Sequence, residues 1–199
     1  SHGGTRPYFG TNPICFAAPR EEQEPYCLDM ATSIVPWNRV LLNRNSSKPL
    51  EPGIAADEYG KLTTDPHKAA AVIPTGSYKG YGLSSMVDVL CGVYTSMAFG
   101  RSIPAMFTTK MTEQRKLGQF YIVMRSDGVI SKEEFINSMQ QMTGEVRTEP
   151  AVDGESVMLP GDPQMICAKK RMKDGIPLDD STLDALVAMS KKNNVILKL

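Results

Sequence analysis

The chain has 199 residues, of which 41% are hydrophobic and 22% are charged, a composition typical of a globular protein with one large or two small domains. Lys and Arg together number 22, as do Asp and Glu, so the formal net charge is 0. A chain without a basic excess lacks the field that attracts nucleic acid or an anionic membrane. Its most apolar stretch, residues 87–93, is far shorter than the roughly 20 residues needed to span a bilayer. We therefore expect no nucleic-acid partner and no membrane span.

Two short apolar runs near the N-terminus predict a β-hairpin. Residues 14–18 and 25–30 are bounded by turn-forming residues, and the charged segment 20–24 lies between them. Because both runs are almost continuously apolar, we expect two well-buried strands.

The next segment predicts a helix, a loop and a second helix start. Residues 33–42 place apolar groups at helical spacing, whereas residues 43–60 are rich in Asn, Ser, Pro and Gly and predict a long polar loop. Asp65 can accept hydrogen bonds from unpaired amides, and Pro66 needs no amide donor at a first helical position. We therefore expect a short helix that carries His67.

A long helix is predicted to begin near residue 79 and to end near Gly100. Apolar residues recur along it at the spacing of a single helical face, which we expect to point into the core. That face comprises Leu83, Met86, Val87, Leu90 and Tyr94. The segment Lys79-Gly80-Tyr81-Gly82 therefore stands at the helix N-terminus.

The C-terminal half alternates strand and helix signals. Residues 118–124 predict a buried strand, and Ser131 with Glu134 forms a capping box ahead of an apolar run. Ser181 is the predicted N-cap of a last helix that closes with lysines at 191–192. Strands and helices both recur, so the predicted class is α/β or α+β.

The cysteines are scattered and show no C-x-x-C spacing. Only His2 and His67 could add further soft metal ligands. We expect buried free thiols in a reducing cytoplasm and no metal site. The four cysteines are Cys15, Cys27, Cys91 and Cys167.

Six short motifs occur in a fixed order along the chain. They are Gly10-Thr11-Asn12-Pro13, Asp29-Met30-Ala31-Thr32, Thr63-Thr64-Asp65-Pro66, Lys79-Gly80-Tyr81-Gly82, Leu117-Gly118-Gln119-Phe120 and Pro160-Gly161-Asp162. In this order and spacing the chain resembles the malate/L-lactate dehydrogenase family, which includes ureidoglycolate and sulfolactate dehydrogenases. The resemblance runs from about Gly3 to the C-terminus.

The resemblance implies both a fold and an activity. The fold is a largely antiparallel mixed sheet flanked by helices, a non-Rossmann NAD(P)-binding fold of the L-sulfolactate dehydrogenase type. The activity is hydride transfer between NAD or NADP and a 2-oxo or 2-hydroxy acid of the malate, lactate or ureidoglycolate kind. The resemblance also implies a homodimer.

Lys79 and Gly80 are the strongest candidates for cofactor binding. The dinucleotide fingerprint G-x-G-x-x-G is absent, so another group must neutralise a pyrophosphate. A glycine at a helix N-terminus lets backbone amides approach an anion, and the lysine ammonium adds a full charge there. From spacing alone, a surface lysine at a Gly-rich helix start is the alternative. The resemblance implies the cofactor contact.

The resemblance implies further site residues in two other motifs. Thr11 and Asn12 would face the substrate, although an Asn-Pro turn is the alternative. From their sequence alone, Asp29 would cap a turn and the Pro-Gly pair would form a type II turn. Asp162 stands where the family more often has Glu. The implied cofactor-lining residues are Asp29, Met30, Ala31, Thr32, Ser33, Gly161, Asp162 and Pro163.

Neither histidine is placed for general acid catalysis. His67 follows Pro66 at the start of a polar segment, where a solvated side chain is expected, and His2 lies at the terminus. The resemblance implies an N-terminal helical segment followed by a Gly-His-Ser/Phe-Gly-type stretch that carries the acid/base histidine, and nothing like either precedes Gly10. We therefore predict that residues 1–199 are the cofactor-binding, C-terminal portion of a larger dehydrogenase and are inactive alone.

Several alternatives stay open at the level of sequence. The chain could be a non-catalytic nucleotide-binding or scaffold fragment of this family, or an enzyme that forms a Schiff base through Lys79. The basic residues Arg39, Arg44 and Lys48 could meet the 2′-phosphate of NADP or could be solvated surface. The sequence does not identify the 2-oxo acid, although Phe99-Gly100-Arg101 leans toward ureidoglycolate dehydrogenases.

Overall fold

The computed structural model describes residues 2–21, 23–106 and 108–197, and the chain divides into two compact units, residues 1–141 and 142–199. No helix in these described ranges is long and apolar enough to cross a membrane. The strands are β1 (Ile14–Ala18), β2 (Tyr26–Met30), β3 (Ala55–Ala56) and β4 (Ala71–Val72). The helices are α1 (Trp37–Asn45), α2 (Tyr78–Asp88), α3 (Lys132–Thr148), α4 (Asp162–Asp174) and α5 (Asp180–Asn193).

The mixed α/β composition confirms the predicted fold class. β1 pairs with β2 and β3 pairs with β4, both antiparallel, so the described strands form two separate two-stranded sheets. The predicted antiparallel pairing is therefore confirmed, but it is divided between two small sheets.

The predicted hairpin is present, but its predicted burial is wrong. Ile14 lies opposite Met30 and Ala18 lies opposite Tyr26, so the register closes the two strands completely. Ala18 is buried, whereas Phe16 in the middle of β1 is 50% exposed. An apolar strand is buried only when other layers cover its faces, and the described residues leave much of this hairpin uncovered.

The core of the first unit forms around α1. The predicted helix over residues 33–42 is present, but it begins only at Trp37, directly after Pro36, and continues to Asn45. Trp37 also packs against the core, whose buried members are Val40, Leu50, Ile54, Ala55 and Ala69. The prediction of a polar loop over residues 43–60 is therefore partly wrong, because apolar residues of this segment are buried in the core.

The short helix predicted at Asp65 is a single turn. The Asp65 carboxylate accepts from the His67 amide at 2.8 Å, and the Asp65 carbonyl accepts from the Ala69 amide at 3.1 Å. The chain then becomes extended, since the Ala70 amide donates to the Ala56 carbonyl at 2.8 Å. Pairing with β3 thus ends the turn, and His67 is exposed as predicted.

Helix α2 begins where the sequence predicts, but it buries a different face from the predicted one. Its buried residues are Gly80, Ser84 and Asp88, which lie one turn apart. In the predicted core stripe Leu83, Met86 and Tyr94 are exposed, Tyr94 by 74%, and Val87 and Leu90 are half-buried. After Asp88 the helix continues as a π-helical turn, Val89–Val93, so it ends well before residue 100. Burial of the polar face is compensated by hydrogen bonds, which are described below.

The strand predicted over residues 118–124 does not form. Val123 is 94% exposed, and this segment belongs to no strand of the described chain. Strand-forming side chains stabilise a strand only when a neighbouring strand pairs with it. Gly118 packs closely on the π-helical turn, where a β-carbon would collide with the Cys91 carbonyl.

The capping box of α3 is confirmed by its hydrogen bonds. The Ser131 amide donates to Glu134 Oε2 at 2.9 Å, and the Glu134 amide donates to Ser131 Oγ at 3.1 Å. These two bonds satisfy amides that the helix itself leaves unpaired.

The second unit differs from its prediction at both helix starts. Helix α4 was not predicted, because the Pro-Gly-Asp-Pro run reads as a turn although Pro is tolerated in a first helical turn. The N-cap of α5 is Asp179, whose carboxylate accepts from the Thr182 amide at 2.9 Å. The predicted cap, Ser181, donates its hydroxyl to that same carboxylate. The lysines at 191–192 lie in the last turn, as predicted.

We predict that α5 loses stability in acid through Asp179. Hydrogen bonds from Ser181 and then Thr182 lower the pKa of Asp179 to about 2. Because the unfolded carboxyl titrates near pH ~3.9, the cap contributes its full stabilisation above that pH and loses it as the pH falls toward 2. Thermal melting of the Asp179→Ala variant should therefore differ from the parent at pH 7 and converge with it near pH 2.

Asp184→Ala is the matched control, since Asp184 lies exposed within the same helix. A gap between Asp179→Ala and the parent that stays constant from pH 7 to pH 2 would contradict the capping role.

Candidate functional site

The three motifs nearest α2 meet through the main chain of Thr32. The Thr32 amide and hydroxyl both donate to the Thr11 carbonyl, at 2.9 and 3.0 Å, and the Thr32 carbonyl accepts from the Thr75 amide at 3.0 Å. Thr32 is only 1% exposed. The loop before β1, the end of β2 and the segment before α2 are therefore held together at one point.

The N-terminus of α2 has an unusual backbone. Gly76 and Ser77 both have φ near +59°, so two consecutive residues in the left-handed region precede the first helical residue, Tyr78. Lys79 is exposed, and its aliphatic stem lies beside Gly76, because a β-carbon there would be 3.7 Å from Lys79 Cβ. The ammonium group and the positive end of the helix dipole thus belong to the same short segment.

Gly80 allows α2 to approach the motifs at Thr32 and Thr75. Its amide donates to the Thr75 carbonyl at 2.7 Å. A β-carbon on Gly80 would collide with that carbonyl and lie 2.6 Å from the Thr32 carbonyl oxygen. Backbone cannot yield to this contact as a flexible side chain could, so only glycine fits here.

We predict opposite effects for two glycine substitutions one half-turn apart. Gly80→Ala should lower the free energy of unfolding by about 1–3 kcal/mol, the cost of overpacking. Gly82→Ala is the matched control, since nothing lies within 4 Å of a β-carbon there. It should be neutral or stabilising by about 0.5–1 kcal/mol, because alanine favours a helix over glycine. Urea denaturation measures both, and equal effects would contradict the close approach at Gly80.

A cavity of about 810 Å³ lies within the first unit beside these motifs. One wall is formed by the loop at Gly10 and Thr11, and another by the end of β2 at Thr32 and Ser33. The lining also includes Tyr59, Ile73, Ser77, Tyr81, Ser84 and Met106. Its size is within the roughly 300–1,000 Å³ of typical small-molecule sites, and its lining carries several hydroxyl groups together with His2 and Arg6.

The structure brings together some of the sequence-predicted site residues and not others. Thr11, Thr32 and Ser33 line the cavity. The other predicted residues of this unit lie on the same motifs but outside the lining; they are Asn12, Asp29, Met30, Ala31, Lys79 and Gly80. The predicted residues at 161–163 belong to the second unit and are described with it.

The hydroxyl groups of Thr32 and Ser33 are partly committed to the fold. Thr32 donates to the Thr11 carbonyl, and Ser33 Oγ donates to the Val35 carbonyl at 2.8 Å. Each hydroxyl oxygen can still accept a hydrogen bond. Their contact with a cofactor stays a prediction. Any such contact would be a hydrogen bond that a cofactor group donates to one of these two hydroxyl oxygens.

The side chain of Asn12 is directed at α2. Its amide nitrogen donates to Asp88 Oδ1 at 2.7 Å and to the Ser84 carbonyl at 2.8 Å. Asn12 has φ of 32°, a left-handed conformation that Asn tolerates better than most residues. Its substrate contact stays a prediction, and the structure leaves only its amide oxygen and its backbone for that role.

The carboxylate predicted at Asp162 is bound within the second unit. The Pro160–Gly161 turn is confirmed, since the Asp162 amide donates to the Leu159 carbonyl at 3.0 Å and Gly161 has φ of 100°. Arg147 binds the Asp162 carboxylate through both Nε, at 2.9 Å, and Nη2, at 2.6 Å. This ion pair raises the pKa of Arg147. The cofactor contacts of Gly161, Asp162 and Pro163 stay predictions.

The three basic residues considered for a 2′-phosphate differ in their surroundings. Arg44 donates to the carbonyls of Pro66, at 3.0 Å, and Ala69, at 3.3 Å, so its guanidinium group supports the fold. Arg39 and Lys48 are exposed. The choice between NAD and NADP therefore stays open.

The cysteines are free thiols, but none of them is fully buried. Cys15 is exposed and the other three are half-buried, so the predicted burial is wrong for Cys15 and only partly met by the others. Partial desolvation, followed by the neighbouring thiol of Cys27, raises the pKa of the Cys15 thiol. Among the described residues, no group of three or more His, Cys, Asp or Glu side chains is placed to hold a metal ion. Absence of a bound metal stays a prediction.

Sequence reasoning missed three residues that build this site. Asp88 and Ser84 hold the loop before β1, and Thr75 holds both Thr32 and Gly80. The available signal was the four-residue spacing of small and polar residues along α2, at Gly80, Ser84 and Asp88. That spacing marks a helix face as clearly as the apolar stripe does.

Comparison with known proteins matches the chain to characterised dehydrogenases. Ureidoglycolate dehydrogenase (NAD(+)) from Escherichia coli K12 is 36% identical over 94% of this chain and 53% of its own length. Malate/(S)-sulfolactate dehydrogenase from Methanothermus fervidus is 30% identical over 98% of this chain and 56% of its own length. A (2R)-3-sulfolactate dehydrogenase (NADP(+)) from Chromohalobacter salexigens is 31% identical over 94% of this chain and 54% of its own length.

The fold agrees with this relationship. The crystal structure of malate dehydrogenase from Entamoeba histolytica superposes with a TM-score of 0.87 at 26% identity and covers 100% of this chain and 59% of that protein. The chain thus spans little more than half the length of the relatives it matches. Residues 1–187 match the family model described as malate/L-lactate dehydrogenase, and the chain therefore belongs to that family.

Proposed function

We propose that this chain binds the nicotinamide cofactor of an NAD- or NADP-dependent dehydrogenase that interconverts 2-oxo and 2-hydroxy acids. One observation carries the proposal: the loop at Thr11, the end of β2 and the start of α2 converge beside a cavity of about 810 Å³. Membership of the malate/L-lactate dehydrogenase family supports it. The relatives named above act on ureidoglycolate, malate and sulfolactate, and we propose a substrate of the same 2-oxo or 2-hydroxy acid class.

The start of α2 fits the pyrophosphate of such a cofactor. The Lys79 ammonium is exposed and so able to reach an anion, and the helix dipole favours negative charge at the same end. Gly80 keeps this end of the helix close to Thr32, whose hydroxyl oxygen can accept from a ribose hydroxyl group. When bound, the nicotinamide ring supplies the hydride. In this proposal Asp29, Met30 and Ala31 line the cofactor where β2 ends.

The residues of this chain offer little for the proton transfer that the reaction requires. Reduction of a ketone leaves an alkoxide that a general acid must protonate. His67 is exposed on a turn, away from the cavity lining. His2 does line the cavity, with Nδ1 3.5 Å from Ser77 Oγ, which sequence reasoning did not anticipate. We propose that the acid/base histidine lies in the part of the relatives that this chain does not cover.

Three further proposals follow from family membership and exposure. A homodimer is supported by the exposed apolar residues of α2, such as Leu83 and Met86, which a second copy could cover. A cytoplasmic location is supported by the free thiols, which are typical of a reducing compartment. NAD and NADP remain equal candidates, since the relatives include enzymes named for each.

Of two rival functions, one fits the structure less well. A Schiff-base enzyme would need Lys79 in a desolvated pocket that lowers its pKa, but Lys79 is exposed. A non-catalytic nucleotide-binding protein would keep the site at α2 and lose turnover. The second rival is separated from the dehydrogenase by the activity assay below.

We predict that Lys79→Ala weakens cofactor binding. Loss of a charge-assisted contact should cost about 1–3 kcal/mol of binding free energy for both NADH and NADPH. Isothermal titration calorimetry measures the effect, with Lys61→Ala as a control that removes an exposed lysine from the same unit. Unchanged affinity in a folded Lys79→Ala protein would exclude this lysine from the cofactor site.

We predict that residues 1–199 alone reduce 2-oxo acids slowly or not at all, whereas a version extended upstream by its native sequence is active. Loss of a general acid typically lowers the rate about 10²–10⁴-fold. NADH and NADPH oxidation should be followed with a panel of the 2-oxo acids whose reduction yields malate, lactate and ureidoglycolate. In the extended protein His67→Ala should retain nearly full activity.

His2→Ala tests the alternative acid in the same assay. Loss of activity on removing His2 or His67, or equal rates for the short and extended proteins, would show that the acid lies within this chain. Absence of turnover in the extended protein despite tight NADH binding would favour the non-catalytic rival.

A further inference from the structure

Asp88 is a buried carboxylate to which the proposed reaction assigns no role. It lies at the last residue of α2 and is 7% exposed. Its Oδ1 accepts from Asn12 Nδ2 at 2.7 Å, and its Oδ2 accepts from the Gly100 amide at 2.6 Å. A carboxylate is stable at this depth only when such donors replace water. One side chain therefore joins α2 to two segments far from it in sequence.

The bond from Asn12 fixes the loop that borders the cavity. Asn12 donates a second time to the Ser84 carbonyl, and Ser84 Oγ donates to the Gly10 carbonyl at 3.3 Å. Gly10 and Asn12 are thus both bound to α2, and Thr11 between them lines the cavity. The Thr11 carbonyl is held from the other side by Thr32. The backbone of Thr11 cannot turn without breaking these contacts.

We propose that Asp88 is a positioning residue for the substrate-binding loop. By holding Asn12 against α2, its carboxylate orients Thr11 toward the cavity in the geometry that a bound 2-oxo acid requires. This inference rests on the proposed dehydrogenase function. It assigns Asp88 no contact with the substrate, and its effect reaches the substrate only through Asn12 and Thr11.

The chemistry requires a carboxylate at this position. Both partners of Asp88, the Asn12 amide and the Gly100 amide, are donors, so both oxygens of residue 88 must accept. An asparagine has nearly the same volume but presents one acceptor and one donor. In Asp88→Asn the new NH₂ group therefore faces one of the two amide donors. The hydrogen bond to that donor is lost, which frees either the Asn12 side chain or the Gly100 amide.

Steady-state kinetics of the upstream-extended protein give the first test. Asp88→Asn should lower kcat/KM for the 2-oxo acid about 10- to 100-fold, the cost of a misplaced binding group, while the dissociation constant for NADH changes less than about twofold. Asp179→Asn is the matched control, because it weakens an Asp-to-amide cap elsewhere in the protein. All assays are run well below the melting temperature of each variant.

The side-chain amide signals of Asn12 in a ¹H–¹⁵N spectrum give a second readout that does not depend on activity. They should shift in Asp88→Asn and stay unchanged in Asp179→Asn. Unshifted signals, or shifted signals with parental kcat/KM, would overturn the positioning role. An equal loss of kcat/KM in Asp179→Asn would also overturn it, because the effect would then be general destabilisation. Absence of turnover in the parent protein would refute the proposed function, while the amide signals would still report whether Asp88 holds the loop.

Discussion

The polar contact between α2 and the loop before β1 is the constraint on which the site depends. Helix α2 buries Gly80, Ser84 and Asp88. It cannot slide or rotate against its neighbours as a helix with an apolar buried face could, because each buried polar atom needs a hydrogen-bond partner at a fixed position. Asp88 finds that partner in Asn12, and Gly80 finds contact with the backbone of Thr32. The register of α2 is therefore fixed by hydrogen bonds, and the cavity beside it takes its shape from that register.

Local sequence signals predicted the elements whose causes are local. The β1–β2 hairpin, a helix overlapping residues 33–42 and the capping box at Ser131 each follow from a few adjacent residues, and each is present. Features that need a distant partner were not predictable in this way. The segment 118–124 has the composition of a strand, yet it pairs with no strand of the described chain. Composition records a preference, and only a neighbouring strand converts it into structure.

The face of α2 shows why burial was harder to predict than helix position. The apolar residues of this helix and its small and polar residues each form a stripe, and periodicity alone does not say which stripe points inward. We assigned the apolar stripe to the core, because free energy favours burial of apolar area. The structure buries the polar stripe, since Asn12 and Gly100 offer hydrogen bonds at matching positions. Apolar stripes suit interfaces between subunits as well as cores, so exposure of Leu83 and Met86 is consistent with the proposed homodimer.

The candidate site could be located from sequence, but the task of each side chain could not. The motifs at Thr11, Thr32 and the start of α2 converge, yet several groups predicted to meet a ligand are engaged by the protein itself: the Thr32 hydroxyl by Thr11, and the Asp162 carboxylate by Arg147. A residue that shapes the backbone of a site and a residue that touches its ligand leave the same motif in a sequence. Only partner atoms distinguish them. Thr32 both supports the fold and lines the cavity. A loss of cofactor affinity in a Thr32 variant therefore combines displacement of the backbone with loss of a contact to the cofactor. Folding stability must be measured alongside binding to separate these two effects.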